Sequence, residues 1–322
     1  MLKYVLKRIG LLLASLFIIM TMLFVLIRLL PNPITSVPGG FDKAMRDMRE
    51  AWGYNKPIMV QYGIFLKKVF TAWDWGFCTS MGTFLQPVTA YLSSKLPATI
   101  YVNIFSVIIS LPIGITFGIV AAVNKNKWPD HVIQVVIMFF ISVPSFIYAF
   151  ILQYFIGYRL GLCPLIFKGG DDYFTWAMFH SAIMPILSLS FGPIAQDMRL
   201  IRAELTDQLN SDYMLLARTK GLSKSQAIVR HALRNSMVPL MPTFLGNFIG
   251  ILGGSMIIEQ IFAVPGIGKT YVQSIAVRDY SVFMAISMFY VTIGLIAGIV
   301  TDLSYGFIDP RIRMGGSKTN EL

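Results

Sequence analysis

The chain has 322 residues, 55% of them hydrophobic and 13% charged, with a mean hydropathy of +0.65. Soluble domains carry about 25% charged residues, so the composition excludes a disordered chain, a coiled coil and an ordinary cytosolic enzyme, and describes a polytopic membrane protein. Two cysteines and three scattered histidines (His131, His180 and His231) exclude a disulfide scaffold and a cysteine- or histidine-rich metal centre, and the net charge of +11 must be sorted by position before it implies any partner.

Six stretches supply the roughly 20 mostly apolar residues that a spanning helix needs. They are Ile9–Leu30, Ala98–Val123, Val132–Ile156, Ala182–Leu200, Met237–Ile261 and Val282–Tyr305. The first follows Lys3, Lys7 and Arg8 and carries Arg28 near its end, where a long side chain can snorkel. Its apolar run exceeds the roughly 7–15 residues of a signal peptide, and no small-residue cleavage site follows, so a retained helix is expected. The predicted fold is all-α, with six transmembrane helices.

The basic residues then orient the chain. With the N-terminus inside, the inner segments hold Lys3, Lys7, Arg8, Lys125, Lys127, Arg199, Arg202, Arg218, Lys220, Lys224, Arg230, Arg234, Arg311, Arg313 and Lys318. The short outer segments hold only Arg159, Lys168, Lys269 and Arg278. The long outer segment is also basic, but long segments cross largely regardless of charge. Both termini are therefore expected to be cytoplasmic, and no nucleic acid is needed to explain the charge.

Four regions follow: a first helix in 1–30, a long extracellular segment in 31–97, a five-helix core in 98–308 that includes the cytoplasmic segment 199–236, and a cytoplasmic tail in 309–322. The segment Pro31–Pro97 is too long for a simple connection and carries Trp52, Trp73 and Trp75. An ordered subdomain resting partly at the interface is expected there, either covering helix ends or handling ligand. Gly114 and Gly118, then Gly246, Gly250 and Gly254, then Gly294 and Gly298 recur four apart, a spacing that lets helix backbones approach. Pro112, Pro144, Pro185, Pro193, Pro239 and Pro242 predict local kinks.

The inner segment Arg199–Ser236 is the most informative. Ser211-Asp212 can start a helix in which Tyr213, Leu216 and Ala217 share a side; Gly221 ends it; Ser223 can cap a second helix running through Ala227 and His231 toward Asn235. A basic helix–glycine–helix lying beneath the membrane is a docking surface for an inner partner or an amphipathic segment on anionic lipid.

At these residues the chain resembles the permease subunits of bacterial binding-protein-dependent ABC importers of the oligopeptide, dipeptide and nickel class, and is closest to the B-type oligopeptide permease. The general inner signature E-A-A-x3-G-x9-I-x-L-P is half kept. Ala217, Gly221 and Leu233 match, while Leu215, Leu216, His231 and Arg234 depart from it. The peptide-class form is kept better, in Ala217-Arg218-Thr219-Lys220-Gly221-Leu222, Arg230-His231-Ala232-Leu233-Arg234-Asn235 and Pro239. Further matches run along nearly the whole chain. They include Tyr4, Lys7 and Arg8, Asp74-Trp75-Gly76, Leu96-Pro97-Ala98-Thr99, Ser142-Val143-Pro144-Ser145-Phe146, Glu259 with Val264-Pro265-Gly266-Ile267-Gly268, and Arg278-Asp279-Tyr280. The family's outer P-G-D-P is replaced by Pro31-Asn32-Pro33.

The resemblance implies a multi-pass subunit of the bacterial inner membrane that forms part of a peptide path. Its partners would be a second homologous permease, two cytoplasmic ATPase subunits, an external peptide-binding protein, the peptide itself and membrane lipid. Nickel or another small solute is the alternative cargo. The implied ATPase-coupling residues are Tyr213, Ala217, Arg218, Lys220, Gly221, Leu222, Ser223, Ala227, Arg230, His231 and Arg234, with Ala217 small so that the ATPase can approach. Hydrolysis is expected on the partners, and this chain is expected to be no enzyme and to hold no cofactor or metal.

Polar residues within spans face protein or water. Asn103, Gln134, Gln153 and Asn247 are thus candidates for the translocation path, with interhelical hydrogen bonding as the equal alternative. A proton-coupled carrier would need ionisable groups at mid-membrane. Glu259 and Asp302 instead sit near span ends, and Asp197 is expected to pair with Arg199 or Arg202. The stretch from Ala263 to Lys269 and Thr270 loosely fits a phosphate loop, but it follows a membrane span and lacks an α/β domain. Cys78 and Cys163 both fall outside in this topology. Two unpaired thiols are the favoured reading, since a bridge needs Cα atoms within about 7 Å.

Overall fold

The computed structural model describes residues 2–30, 42–170 and 172–308. The departure at Pro31-Asn32-Pro33 and the tail 309–322 lie outside them. In chain order the helices are α1 (Leu2–Leu29), α2 (Asp42–Ala51), α3 (Ile58–Ala72), α4 (Val88–Val123), α5 (Trp128–Ser142) and α6 (Ser145–Leu152), which continues as a π-helical stretch, Gln153–Arg159. Then come α7 (Trp176–Leu209), α8 (Asp212–Thr219), α9 (Lys224–Ala227), a second π-helical stretch (Ile228–Ala232), α10 (Leu233–Met237), α11 (Met241–Gly250), α12 (Met256–Ile261), α13 (Ile267–Ala276) and α14 (Tyr280–Ile308). Among the described residues there is no strand, only an isolated bridge between Phe77 and Pro87.

Among the described residues five helical runs are long and apolar enough to cross a bilayer: one within α1, then α4, α7, Lys224–Ile261 and one within α14. The helices α5 and α6 pass that test only together, as a pair bent by 101°. This corrects the single helix expected over Val132–Ile156. Val143 is extended and Pro144 follows it. A proline has no N–H for the helix ladder and drives its predecessor out of helical geometry, so the span breaks there. By contrast, Pro185 and Pro193 lie inside α7 without ending it.

The fifth stretch also differs from expectation. It tightens into 3-10 turns at Val238–Leu240 and Ile251–Gly253, and Gly254 leaves helical geometry at φ +62°. Gly254 therefore does not share a helical face with Gly246 and Gly250. A Cβ there would lie 2.5 Å from Glu259 Oε1 and 2.9 Å from Thr99 Cγ2. Glu259, expected at the interface, is 1% exposed and accepts a 2.9 Å hydrogen bond from the Thr99 hydroxyl.

The chain forms two compact units. The first comprises the described residues within 2–97 and 266–295. Its core joins Met20 and Phe24 of α1, Trp52, Phe65 and Val69, and Met284 and Met288 of α14. Over 42–97 the segment after α1 is thus ordered, as its tryptophans suggested. Arg28 stacks its guanidinium over the Tyr54 ring at 3.8 Å. Asp279 is fully buried, and its Oδ2 accepts from the backbone N–H groups of Thr79, Ser80 and Met81 at 2.8, 2.9 and 3.1 Å.

The second unit comprises the described residues within 98–265 and 296–308. Here the glycine spacing on α4 does what the sequence implied. A Cβ at Gly114 would lie 2.6 Å from Asp197 Cβ, and one at Gly118 would lie 2.8 Å from Ile201 Cβ, so α4 and α7 touch through bare backbone. No atom lies within 4 Å of a Cβ built at Gly250, Gly294 or Gly298. The spacing alone did not separate these cases.

A basic helix–turn–helix and a polar cavity

Both candidate regions lie in the second unit. The first starts where α7 ends. Asn210 Nδ2 donates to the Thr206 carbonyl at 3.0 Å, the Ser211 hydroxyl donates to the Gln208 carbonyl at 2.6 Å, and the Tyr213 hydroxyl donates to Gln208 Oε1 at 2.6 Å. These bonds fix the direction of α8. The helix then closes in a Schellman motif. The Gly221 N–H bonds to the Arg218 carbonyl (3.0 Å) and the Leu222 N–H to the Ala217 carbonyl (3.3 Å). Gly221 takes φ +89°, and nothing lies within 4 Å of where its Cβ would be. The glycine is needed for its backbone conformation, not for space.

Ser223 opens α9 with a reciprocal cap: its Oγ accepts from the Gln226 N–H (3.3 Å), and Gln226 Oε1 accepts from the Ser223 N–H (3.1 Å). The buried face of this element packs Met214, Ala217, Ala227, Ile228 and Ala232 on Ala122 of α4 and Leu205 of α7. Two expectations change. Leu216 is 54% exposed and Met214 takes its place: the buried side runs through 213, 214 and 217, where 217 lies three residues after 214 and four after 213, instead of through 213, 216 and 217. Ala217 and Ala227 are buried in this chain's own core, so packing within the subunit accounts for their small size.

The opposite face is basic and apolar together. Arg218, Lys220, Gly221, Ser223, Arg230, His231 and Arg234 are exposed; Tyr213 and Leu222 are half-buried. Leu215, Leu216 and Val229 are exposed beside them. A charged rim around projecting aliphatic side chains suits a protein partner. The π-helical stretch at Ile228–Ala232 lies within the same element, a distortion that recurs at functional sites.

A strut lies beside it. Arg202 of α7 grips Asp130 of α5 through two bonds, Nε to Oδ1 at 2.5 Å and Nη2 to Oδ2 at 2.8 Å. Asp130 is fully buried and also accepts from the Asn126 N–H (2.9 Å) and from Gln134. Arg202 is therefore not the partner of Asp197. Asp130 was missed because its partner is 72 residues away; the local clue was its place three residues after Lys127, in the first turn of a Pro-started helix.

The second region is a cavity of about 260 Å³ between α4, α7 and α11, extending to Ile251. Asn103, Ser106 and Ser110 line it from α4, Leu189, Pro193 and Asp197 from α7, and Phe244, Asn247 and Phe248 from α11. Asn103 also donates to the Thr99 carbonyl at 2.8 Å. Of the four path candidates the structure brings Asn103 and Asn247 together here. Gln134 instead bonds Asp130, and Gln153 donates to the carbonyls of Leu165 (2.8 Å) and Ile261 (3.4 Å).

Lys269 lies in the first turn of α13, and the segment before it follows α12 rather than a strand, so it has no phosphate-loop architecture. Both cysteines are free thiols. Among the described residues no cluster of three or more His, Cys, Asp or Glu side chains could hold a metal ion.

Apolar helices long enough to span a bilayer, joined by a capped basic helix–turn–helix, define a multi-span membrane protein. Residues 114–314 match the family described as binding-protein-dependent transport system inner membrane component, and residues 1–103 match its N-terminal counterpart. The chain belongs to this family and is a multi-pass inner-membrane protein. It is 36% identical to the dipeptide transport system permease protein DppB of Lactococcus lactis, over 98% of this chain and 100% of that one. It is 33% identical to the oligopeptide transport system permease protein OppB of Haemophilus influenzae, over 97% and 100%. A glutathione transport system permease protein, GsiC of Salmonella choleraesuis, is 32% identical over 97% and 99%. A solved amino acid ABC transporter shares the fold with a TM-score of 0.50 at 18% identity, covering 68% of this chain and 94% of that one.

Proposed function

We propose that the chain is the permease subunit of an ATP-driven peptide importer. It would form part of the translocation path and couple that path to two cytoplasmic ATPase subunits. A second homologous permease completes the path, and an external binding protein delivers the peptide. Relatives that match over nearly their whole length carry dipeptide, oligopeptide and glutathione names, which supports a peptide over a metal ion as cargo.

In this reading the chain crosses the membrane six times, the bent α5–α6 pair counting as one crossing. Both termini are cytoplasmic, 31–97 lies outside, 98–308 is the permease core and 309–322 is an inner tail. The short-segment charge bias supports that orientation. Hydrolysis belongs to the partners, and this chain supplies the surface that feels their closure.

The observation that carries the reading is the exposed face of α8–α10. Arg218, Lys220, Arg230 and Arg234 project from an element held on this chain's own core by Ala217, Ala227 and Ala232. A helix pair seated so firmly transmits a push at its exposed face to α4 and α7. The experiment is co-purification of the chain with its ATPases, followed by peptide-stimulated ATP hydrolysis in Gly221→Val. A β-branched residue at φ +89° is strained by about 1–2 kcal/mol. The variant is expected to insert and bind its partners with stimulation lost; full stimulation and normal uptake would remove the coupling role.

A further inference from the structure

The cavity between α4, α7 and α11 has one charged group in its wall. Asp197 is 1% exposed, and its Oδ1 has no hydrogen-bond partner. Neither Lys nor Arg lines the space; of the two basic residues expected beside it, Arg199 is absent from the lining and Arg202 is held by Asp130. A carboxylate shut away from water without a cation is strongly unfavourable, and within a span such a group marks a function by default.

The position of Asp197 is also built rather than incidental. It depends on Gly114, because any Cβ there would meet Asp197 Cβ at 2.6 Å. The Ser190 hydroxyl donates to the Ile186 carbonyl of its own helix (2.7 Å), and its oxygen lies 3.2 Å from the Ser106 hydroxyl, which can donate to it, so the same pair of helices meets through polar side chains at the cavity. Asn103, Ser106, Ser110 and Asn247 add amide and hydroxyl oxygens to the carboxylate. Leu189, Phe244 and Ile251 make much of the remaining wall apolar.

An acceptor-rich wall with a single uncompensated anion fits a donor-only cation. An alkylammonium group carries three N–H donors and no acceptor. The volume of about 260 Å³ is below the roughly 300–1,000 Å³ of sites that enclose a drug-sized ligand, so the cavity suits one residue rather than a whole peptide. We propose that Asp197 and the oxygens around it form a transient binding site for an ammonium group of the cargo, either the free amino terminus of a peptide or a lysine side chain. The inference rests on the peptide-importer reading and names a subsite within it.

The test uses the assembled importer in proteoliposomes, with a peptide bearing a free amino terminus, its N-acetylated form, and an N-acetylated form containing one lysine. Asp197→Asn should lower uptake of the free-amine peptide by about tenfold, equivalent to about 1.4 kcal/mol of lost interaction. N-acetylated uptake should be unchanged, and the lysine peptide reports whether a side chain can occupy the site. Equal uptake of free and acetylated peptides by wild type and variant overturns the proposal. So does a dependence on sodium or potassium that choline cannot replace and that the variant loses, which would assign the site to an inorganic cation.

Because the variant could fail to assemble, or the acetylated peptide fail to be delivered, unmodified importer is also treated with dicyclohexylcarbodiimide. Asp197 should be modified in the empty complex and protected by free-amine peptide but not by acetylated peptide; protection without that selectivity, or none, overturns the proposal. A wild-type importer that accumulates no peptide at all would instead sink the parent reading, a separate and recognisable outcome.

Discussion

Asp130 and Asp197 are both buried carboxylates in the second unit, and they are treated in opposite ways. Asp130 lies under the guanidinium of Arg202, with a backbone N–H and the Gln134 side chain completing its bonds. Asp197 faces a cavity with Oδ1 unbonded. Burial costs both groups their hydration, but only the first recovers it inside the fold. The first behaves as a strut tying the start of α5 to α7 beside the basic element. The second is stable only as far as its surroundings tolerate it, and that difference separates a residue that holds the scaffold from one that waits for a ligand.

The largest effect is expected from breaking the satisfied pair. Arg202→Leu leaves Asp130 fully buried with its charge uncompensated, the situation of Asp197 created where the fold has no cavity for it. The loss is expected to be about 3–5 kcal/mol, read as a large fall in the thermal midpoint of the detergent-solubilised chain. Adding Asp130→Asn to the same chain should recover much of it. If Arg202→Leu unfolds at the wild-type temperature, the strut is not structural and the contrast with Asp197 collapses.

Gly114→Ala probes what seats the unsatisfied carboxylate. The added methyl overlaps Asp197 Cβ, and the Ile194 carbonyl oxygen lies only 3.3 Å away, so neither neighbour yields cheaply. Overpacking of this kind costs about 1–3 kcal/mol. The same change at Gly294, where nothing lies within 4 Å, should be close to neutral in the isolated chain. A calorimetric comparison of the two variants separates a required close approach from a mere glycine spacing; equal midpoints would mean the α4–α7 contact is looser than described.

That pair of glycines also shows what the sequence could and could not say. Hydropathy found the spanning runs because apolar length is a local property. The Gly221 turn and the Ser223 cap were legible for the same reason, since both motifs close within a few residues. Three features were not legible. The break at Pro144 turned an expected kink into a 101° bend, and Gly254 left the helix at φ +62°, where Glu259 and Thr99 leave no room for a Cβ. Arg202 passed over Asp197, five residues back on the same helix, for Asp130 across the core. The first two sit at local signals, a proline and a glycine, whose spacing did not say how far the chain would bend; the third depends on a neighbour 72 residues away. The polar candidates divided likewise: Asn103 and Asn247 share a cavity, while Gln134 and Gln153 are spent on hydrogen bonds elsewhere.

A smaller and opposite-signed effect is expected at Asp197 itself. Asp197→Asn keeps the shape and removes the charge that the fold does not compensate. The solubilised chain should gain about 1 kcal/mol or stay level, as residues kept for function at a cost to stability do. A clear loss of stability would show that the carboxylate has a structural partner and belongs with Asp130.

The final expectation carries the same contrast to a thiol, and is a rate rather than a stability. Cys78 is fully buried in the first unit, and its pKa is pushed up to about 12, first by burial and then by the nearby carboxylate of Asp279. That carboxylate already has three backbone donors, so a thiolate beside it would be a second anion with no cation to answer it. The neutral thiol is therefore the stable form throughout the physiological range. At pH 8 a thiol of ordinary pKa 9.0 is roughly one-tenth ionised, whereas one near 12 is ionised at about one part in ten thousand. Cys163 is raised by burial alone and is only half-buried. Iodoacetamide at pH 8 should thus modify Cys163 first and leave Cys78 untouched until the chain is unfolded. Raising the pH toward 10 should speed the reaction at Cys163 while Cys78 still lags, because its ionisation lies higher. Mass spectrometry of the two peptides over time reads this directly. Matching rates for both cysteines in the folded protein would show that the Cys78 thiol is reachable and ionisable, and that burial beside Asp279 does not hold it neutral.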